Sequence, residues 1–272
     1  MNKGLVLRAI RETWATTLVI GLALSLIAGV LNFALPRFQQ QFMGGAVRPP
    51  AFIERVRSAV LGTETAGMGP MEIATSIAWS HPVVLALLWA HAIIVCTRVP
   101  AGEIERGTID VLLGLPVTRR QLYLSESIVW LVSLVLLLCA AWTGSLIGGS
   151  FVSASLRPPP GRVGILLLNL LAMIASVGAL ASLASTLSDR RGRAVLTVLI
   201  FVVGSFLLNY LTLVWPETKN LARLSLLNYY RPVFTLQSGE WPWKDLAILL
   251  AGAAALWVAG GVVMERRDLC TT

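Results

Sequence analysis

The sequence predicts an all-α integral membrane protein with six transmembrane helices, and three observations carry that prediction. Of its 272 residues, 56% are hydrophobic and 13% charged, with a mean hydropathy of +0.75; a soluble domain carries about twice that charged fraction. Six apolar runs, at about 13–35, 77–97, 120–147, 163–188, 194–216 and 246–264, are each long enough to cross a hydrocarbon core. The charged residues gather in the connectors between those runs, with no long basic tract and no interleaved aromatics, so the net charge of +8 reads as a topology signal and not as nucleic-acid binding. The whole chain, 1–272, reads as one membrane domain.

Residues 5–14 place Arg8, Arg11 and Glu12 on one side and Leu5, Val6, Ile10 and Trp14 broadly on the other. This predicts an N-terminal interfacial helix lying on the inner surface. Thr13 to Leu35 then gives 23 uncharged residues with no A-x-A-like site after them, so this first span is expected to stay uncleaved. Residues 37–76 form a polar connector rich in Gly and Pro, within which Phe52, Ile53, Val56 and Val60 fit either a short surface helix or an irregular loop. The second span carries Pro82 in its first turn, where a missing N–H costs little.

Between the second and third spans runs PAGEIERGTIDVLLGLPVTRRQLYLSE, residues 100–126, with seven charged residues. Ile104, Thr108, Val111, Leu112 and Leu115 fall on one face at helical spacing, and Glu105, Arg106 and Asp110 fall elsewhere on the cylinder. Pro116 stops this amphipathic helix. Thr118 to Gln121 then reads as a capping box, with Val117 and Leu122 placed as the hydrophobic staple that starts the third span. The apolar stripe needs a partner surface: lipid headgroups, the protein's own spans, or a soluble protein.

Further along, Gly144 and Gly148 make a GxxxG in the third span, a common pattern that permits close helix approach. Arg157-Pro158-Pro159-Pro160-Gly161-Arg162 predicts a stiff extended turn. Gly178, Ser182 and Ser185 give the fourth span a face of small residues. Asp189-Arg190-Arg191-Gly192-Arg193 is a tight basic turn into the fifth span, and residues 217–245 form the last long connector. Asn169 and Asn209, the main polar side chains within spans, are expected to make interhelical hydrogen bonds.

The segment Glu103-x-Glu105-Arg106-Gly107-Thr108-Ile109-Asp110, followed by Leu112-Leu113, Leu115-Pro116-Val117 and Arg119, resembles the cytoplasmic signature of ABC-2 type transporter permeases, closest to the NosY-like group. The basic turn at 189–193 and the ending Arg266-Arg267-Asp268 fit the same resemblance, which runs from the central connector to the C-terminus; the N-terminal quarter matches only in pattern. Where family members often carry a small residue followed by Lys, this chain has Ser125-Glu126. The resemblance implies that about 103–115 is a coupling helix docking on a separate ATP-binding subunit. Its contacts would be Glu103, Ile104, Glu105, Arg106, Gly107, Thr108, Asp110, Val111, Leu112 and Leu115, with the apolar stripe in the ATPase cleft. Arg190, Arg191 and Arg193 would make a second contact there, or else bind lipid phosphate. It further implies a homodimer or heterodimer of permease subunits in the bilayer, two ATPase copies, and export.

Lys and Arg number 12 over the 48 residues of segments 1–12, 98–120, 189–193 and 265–272, against 10 over the 84 residues of the opposite connectors. The positive-inside rule therefore places the first set, with both termini, on the cytoplasmic side of an inner membrane. Trp79, Trp215, Trp241 and Trp243 would form the aromatic belt opposite.

No catalytic chemistry is legible. The chain lacks G-x-x-x-x-G-K-[ST], G-x-S-x-G and H-E-x-x-H, so ATP hydrolysis is assigned to a partner and the chain is read as no enzyme. His81 and His91 are its only histidines; on one helix they would lie about 15 Å apart along the axis and about 80° apart around it, which excludes a shared metal. Cys96, Cys139 and Cys270 have no metal-site spacing. No cofactor is expected. No ionisable residue is expected at mid-bilayer, which favours a machine driven from outside the membrane over an ion-coupled carrier. Two rivals are a non-transporting membrane scaffold that anchors a soluble partner and, for want of a nucleophile–base pair, more remotely an intramembrane enzyme.

Overall fold

The computed structural model of the protein describes residues 3–44, 70–154, 157–215 and 219–267. These residues are helical with no strand among them, and six helices or helix pairs are long and apolar enough to cross a membrane. The protein is an all-α, multi-pass membrane protein. The possible surface helix at 52–60 and Cys270 lie outside the described residues.

The first helix, α1 (Lys3–Gly44), is continuous. Residues 5–14, expected as a separate interfacial helix, are instead its opening turns, because no breaker separates them from the apolar run beyond. The second span is made of α2 (Pro70–Ser80) and α3 (Pro82–Cys96). The break falls where Pro82 removes a donor and His81 supplies the cap, its Nδ1 accepting from Val83 N at 3.3 Å. After a kinked segment at Arg98–Gly102, broken by the extended Val99, come two short helices, α4 (Glu103–Glu105) and α5 (Ile109–Leu113).

The capping box then forms as the sequence predicts. Thr118 Oγ1 accepts from Gln121 N, and Gln121 Oε1 accepts from Thr118 N, each at 3.2 Å, opening α6 (Arg119–Ser150). The remaining spans are α7 (Pro160–Leu187), α8 (Arg191–Val214) and α11 (Trp243–Arg266). Between the last two lie α9 (Lys219–Ala222), a 3₁₀ turn (Leu226–Tyr229) and α10 (Pro232–Ser238).

The central helix is α7. In its most apolar stretch 72% of residues are buried, against 28% for α1 and 22% each for α8 and α11, which face outward. Trp130 of α6 lies over Gly178, where a β-carbon would come within 2.0 Å of the indole ring. The GxxxG of α6 serves contact within one chain: a β-carbon on Gly144 would reach Ser25 O of α1 at 2.0 Å, and one on Gly148 would reach Gly29 O at 2.0 Å. Without side chains at those positions the two backbones meet directly. Ser176 ties α7 to α11 by donating to Leu249 O at 2.9 Å.

Two expectations change at the end of the bundle remote from the 98–118 connector. Trp79 is 1% exposed and belongs to the core, while Trp215, Trp241 and Trp243 stay exposed. Asn169 bonds to a connector and not to another span: its Nδ2 donates to Tyr229 O at 3.2 Å, and its Oδ1 accepts from Arg231 N at 3.3 Å. The 225–232 segment thus folds down onto the bundle, with Tyr230 buried and its hydroxyl donating to Trp79 O at 3.2 Å. Burial raises the Tyr230 phenol above the usual tyrosine range.

Candidate functional site: the connector between the second and third spans

The connector leaves α3 through Thr97, whose hydroxyl donates to Ile93 O at 2.7 Å. Val99, ahead of Pro100, is extended, as a residue before proline prefers. Ala101 N donates to Ser185 Oγ at 3.2 Å, which spends one member of α7's small-residue face on holding the connector. Gly107, at φ +70°, then turns the chain between α4 and α5; a side chain there would be strained whatever space it had. Gly107 N donates to Ile104 O and Thr108 N to Glu103 O, each at 3.0 Å, closing the turn.

This turn splits the apolar stripe expected along one helix. Ile104 and Leu112 face inward, joined by Ile109, and pack with Leu5, Val99, Leu122, Tyr123 and Met264. Val111 and Leu115 face outward at 75% and 52% exposure, and Thr108 is exposed with them. A continuous helix would have kept Thr108 and Val111 on the buried side. The left-handed residue at 107 rotates α5 relative to α4, so that Ile109 takes the inward place.

The charged residues divide the same way. Glu105, Arg106 and Asp110 are exposed, whereas Glu103 is 4% exposed. Glu103 accepts from Thr108 Oγ1 at 2.5 Å and pairs with Arg8 Nη2 of α1 at 2.8 Å. Arg8 Nε also reaches Glu12 at 2.8 Å. Arg98, 6% exposed, pairs with Glu12 of α1 and with Glu126 of α6. Burial of this kind is tolerated only where charges are paired.

Glu105 Oε2 accepts from Arg191 N at 2.8 Å, placing a carboxylate on the N-terminus of α8. Of the basic turn, Arg190 and Arg193 are exposed while Arg191 turns in, its Nη2 donating to Ile94 O at 2.9 Å and its Nε to Thr97 Oγ1 at 3.4 Å. Arg267 closes the same end: its Nη1 donates to Thr186 O at 2.7 Å, it pairs with Asp189, and its own carbonyl accepts from Arg119 Nη1 at 2.5 Å.

The structure therefore brings the connector, the 189–193 turn and both ends of the chain's helical bundle, α1 and α11, to one face. Sequence reasoning missed Arg8, Glu12, Arg98 and Glu126 as one cluster. The signal was present as charges within one to three turns of span ends. The partners could not be read because they come from three separate segments.

Among the described residues no cluster of His, Cys, Asp and Glu could hold a metal. His91 is buried against Thr17, with its Nε2 3.1 Å from Thr17 Oγ1.

Comparison with known proteins identifies the architecture. The family model described as ABC-2 family transporter protein matches residues 51–209, a stretch that includes the connector and the basic turn. No curated protein and no solved structure matches the chain. Members of this family are membrane components of transport machines, which implies an ATPase partner of the ATP-binding cassette class. With more than half of its 272 residues matched, the chain belongs to the ABC-2 family of transporter proteins, as a permease component of an ABC transporter.

Proposed function

We propose that this permease is an exporter driven through its 98–118 connector, on which a separate ATP-binding subunit docks from the cytoplasm. The observation that supports this reading is the exposed pair Val111 and Leu115 on a connector otherwise anchored to the bundle. Large apolar side chains outside the membrane spans call for a protein surface. Glu105, Arg106, Thr108 and Asp110 would surround the pair as a polar rim. Glu103, Ile104 and Leu112 would hold the connector in place instead of meeting the partner. Arg190 and Arg193 would add a second contact or bind lipid phosphate, with Arg191 positioning the turn. Closure of two ATPase copies would press on the connectors of two permease subunits, with the termini cytoplasmic in an inner membrane.

The test is Val111→Asp with Leu115→Asp in the full-length permease. Recovery of the cognate ATPase is expected to fall at least about tenfold, since desolvated anchors dominate such interfaces. Thermal stability of the permease alone should hardly change, because both side chains are exposed. Undiminished recovery contradicts the docking reading. Wild-type recovery of an ATPase whose turnover never responds to the permease supports the scaffold alternative.

A further inference from the structure

We propose that the ion network of Arg8, Glu12, Arg98, Glu103 and Glu126, buried at Arg98 and Glu103 and open to solvent at Glu12, is a rigid joint that makes the connector and the starts of α1 and α6 one mechanical body. Taking force from a docked ATPase into the first and third spans is the consequence, and that consequence rests on the function proposed above. The network draws on three elements far apart in sequence. Arg8 bridges α1 to the connector through Glu103 at 2.8 Å; Arg98 bridges the connector's root to both α1 and α6 through Glu12 and Glu126. Each guanidinium therefore serves two carboxylates, so no element can shift alone without parting an ion pair.

The inner half of the site is shielded from water, while the side chains of Arg8 and Glu12 on α1 stay 26% and 36% exposed. Side chains of Arg98, Glu103 and Glu126 are 8%, 5% and 15% exposed, and the apolar cluster under the connector lies alongside. Charge pairs that screened surroundings would weaken are stronger in such a place. Loss of a carboxylate here is costly for a second reason. Arg8 Nη1 and Arg98 Nε are already buried without an acceptor, so a released guanidinium has no replacement partner at hand. Paired charges fix the register of the elements they join.

The pairing also turns Glu126 toward Arg98 inside the bundle instead of toward a partner outside it.

The test uses the full-length permease, first alone and then with its cognate ATPase. In Glu103→Gln with Glu126→Gln, amide exchange across residues 101–113 is expected to rise on the order of tenfold, while the core of α7 is unchanged. Unchanged exchange at 101–113 overturns the joint. Should the double variant fail to fold, the single Glu103→Gln and Glu126→Gln variants serve, read by the same exchange measurement. Each should speed exchange at 101–113, and wild-type exchange in both overturns the joint. In the complex, the glutamine variants should still retain the ATPase but lose the permease's effect on ATP turnover. Intact coupling despite a loosened connector also overturns the proposal. Failure of the wild-type permease to bind any ATPase would instead overturn the function proposed above, leaving the exchange result to decide the joint.

Discussion

Gly144 and Gly148 show how much a single atom decides in this bundle. Each sits where a β-carbon would come within 2.0 Å of an α1 carbonyl oxygen, whereas Gly149, one residue on, has nothing within 4 Å. Gly148→Leu is therefore expected to destabilise the permease by about 1–3 kcal/mol through forced separation of α1 and α6. Gly149→Leu should be close to neutral. Thermal unfolding of the two variants in detergent reads the difference, and equal midpoints would show that the close approach does not occur. The GxxxG spacing was visible in the sequence; its partner was not, because a small-residue face does not name what lies on it. The same limit explains Trp79 and Asn169. A Trp near a span end suggests an interfacial belt, and an Asn within a span suggests an interhelical bond. Both residues are instead taken up by the 225–232 segment, whose descent onto the bundle has no sequence signature.

The connector shows what periodicity can and cannot give. Its helical character, the stop near Pro116 and the capping box were all legible, since each rests on local chemistry between residues a few positions apart. Thr118→Ala should cost about 1 kcal/mol by removing the side-chain acceptor for Gln121 N, seen as a lower unfolding midpoint and faster exchange in the first turn of α6. The direction of the stripe was not legible. Helical spacing assumes one unbroken helix, and the positive φ at Gly107 divides the segment into α4 and α5 with different inward faces. Gly107→Ala should consequently destabilise the turn by about 1 kcal/mol even though no neighbour lies within 4 Å of the added carbon. Exchange at residues 103–113 would rise. A variant with wild-type exchange would mean that the turn does not need its left-handed residue.

Across the whole molecule, six apolar runs at membrane length settled the fold class, because a bilayer leaves a chain few other ways to satisfy its backbone. What the runs could not reveal is their arrangement: α7 at the centre, α1, α8 and α11 toward the outside, and the connector stitched to α1, α6, α7 and α8 by Arg8, Glu126, Ser185 and Arg191. Family membership supplies the transport machine to which this architecture belongs. The proposed working face is the outward side of a connector that the rest of the bundle holds still. Its most direct test is a photo-crosslinking residue placed at position 111 in the assembled complex, with position 147 at the remote end of α6 as the control. Adducts to the ATPase from 111 and none from 147 are the expected result; a complex that forms without any adduct from 111, or that crosslinks from 147, would contradict it.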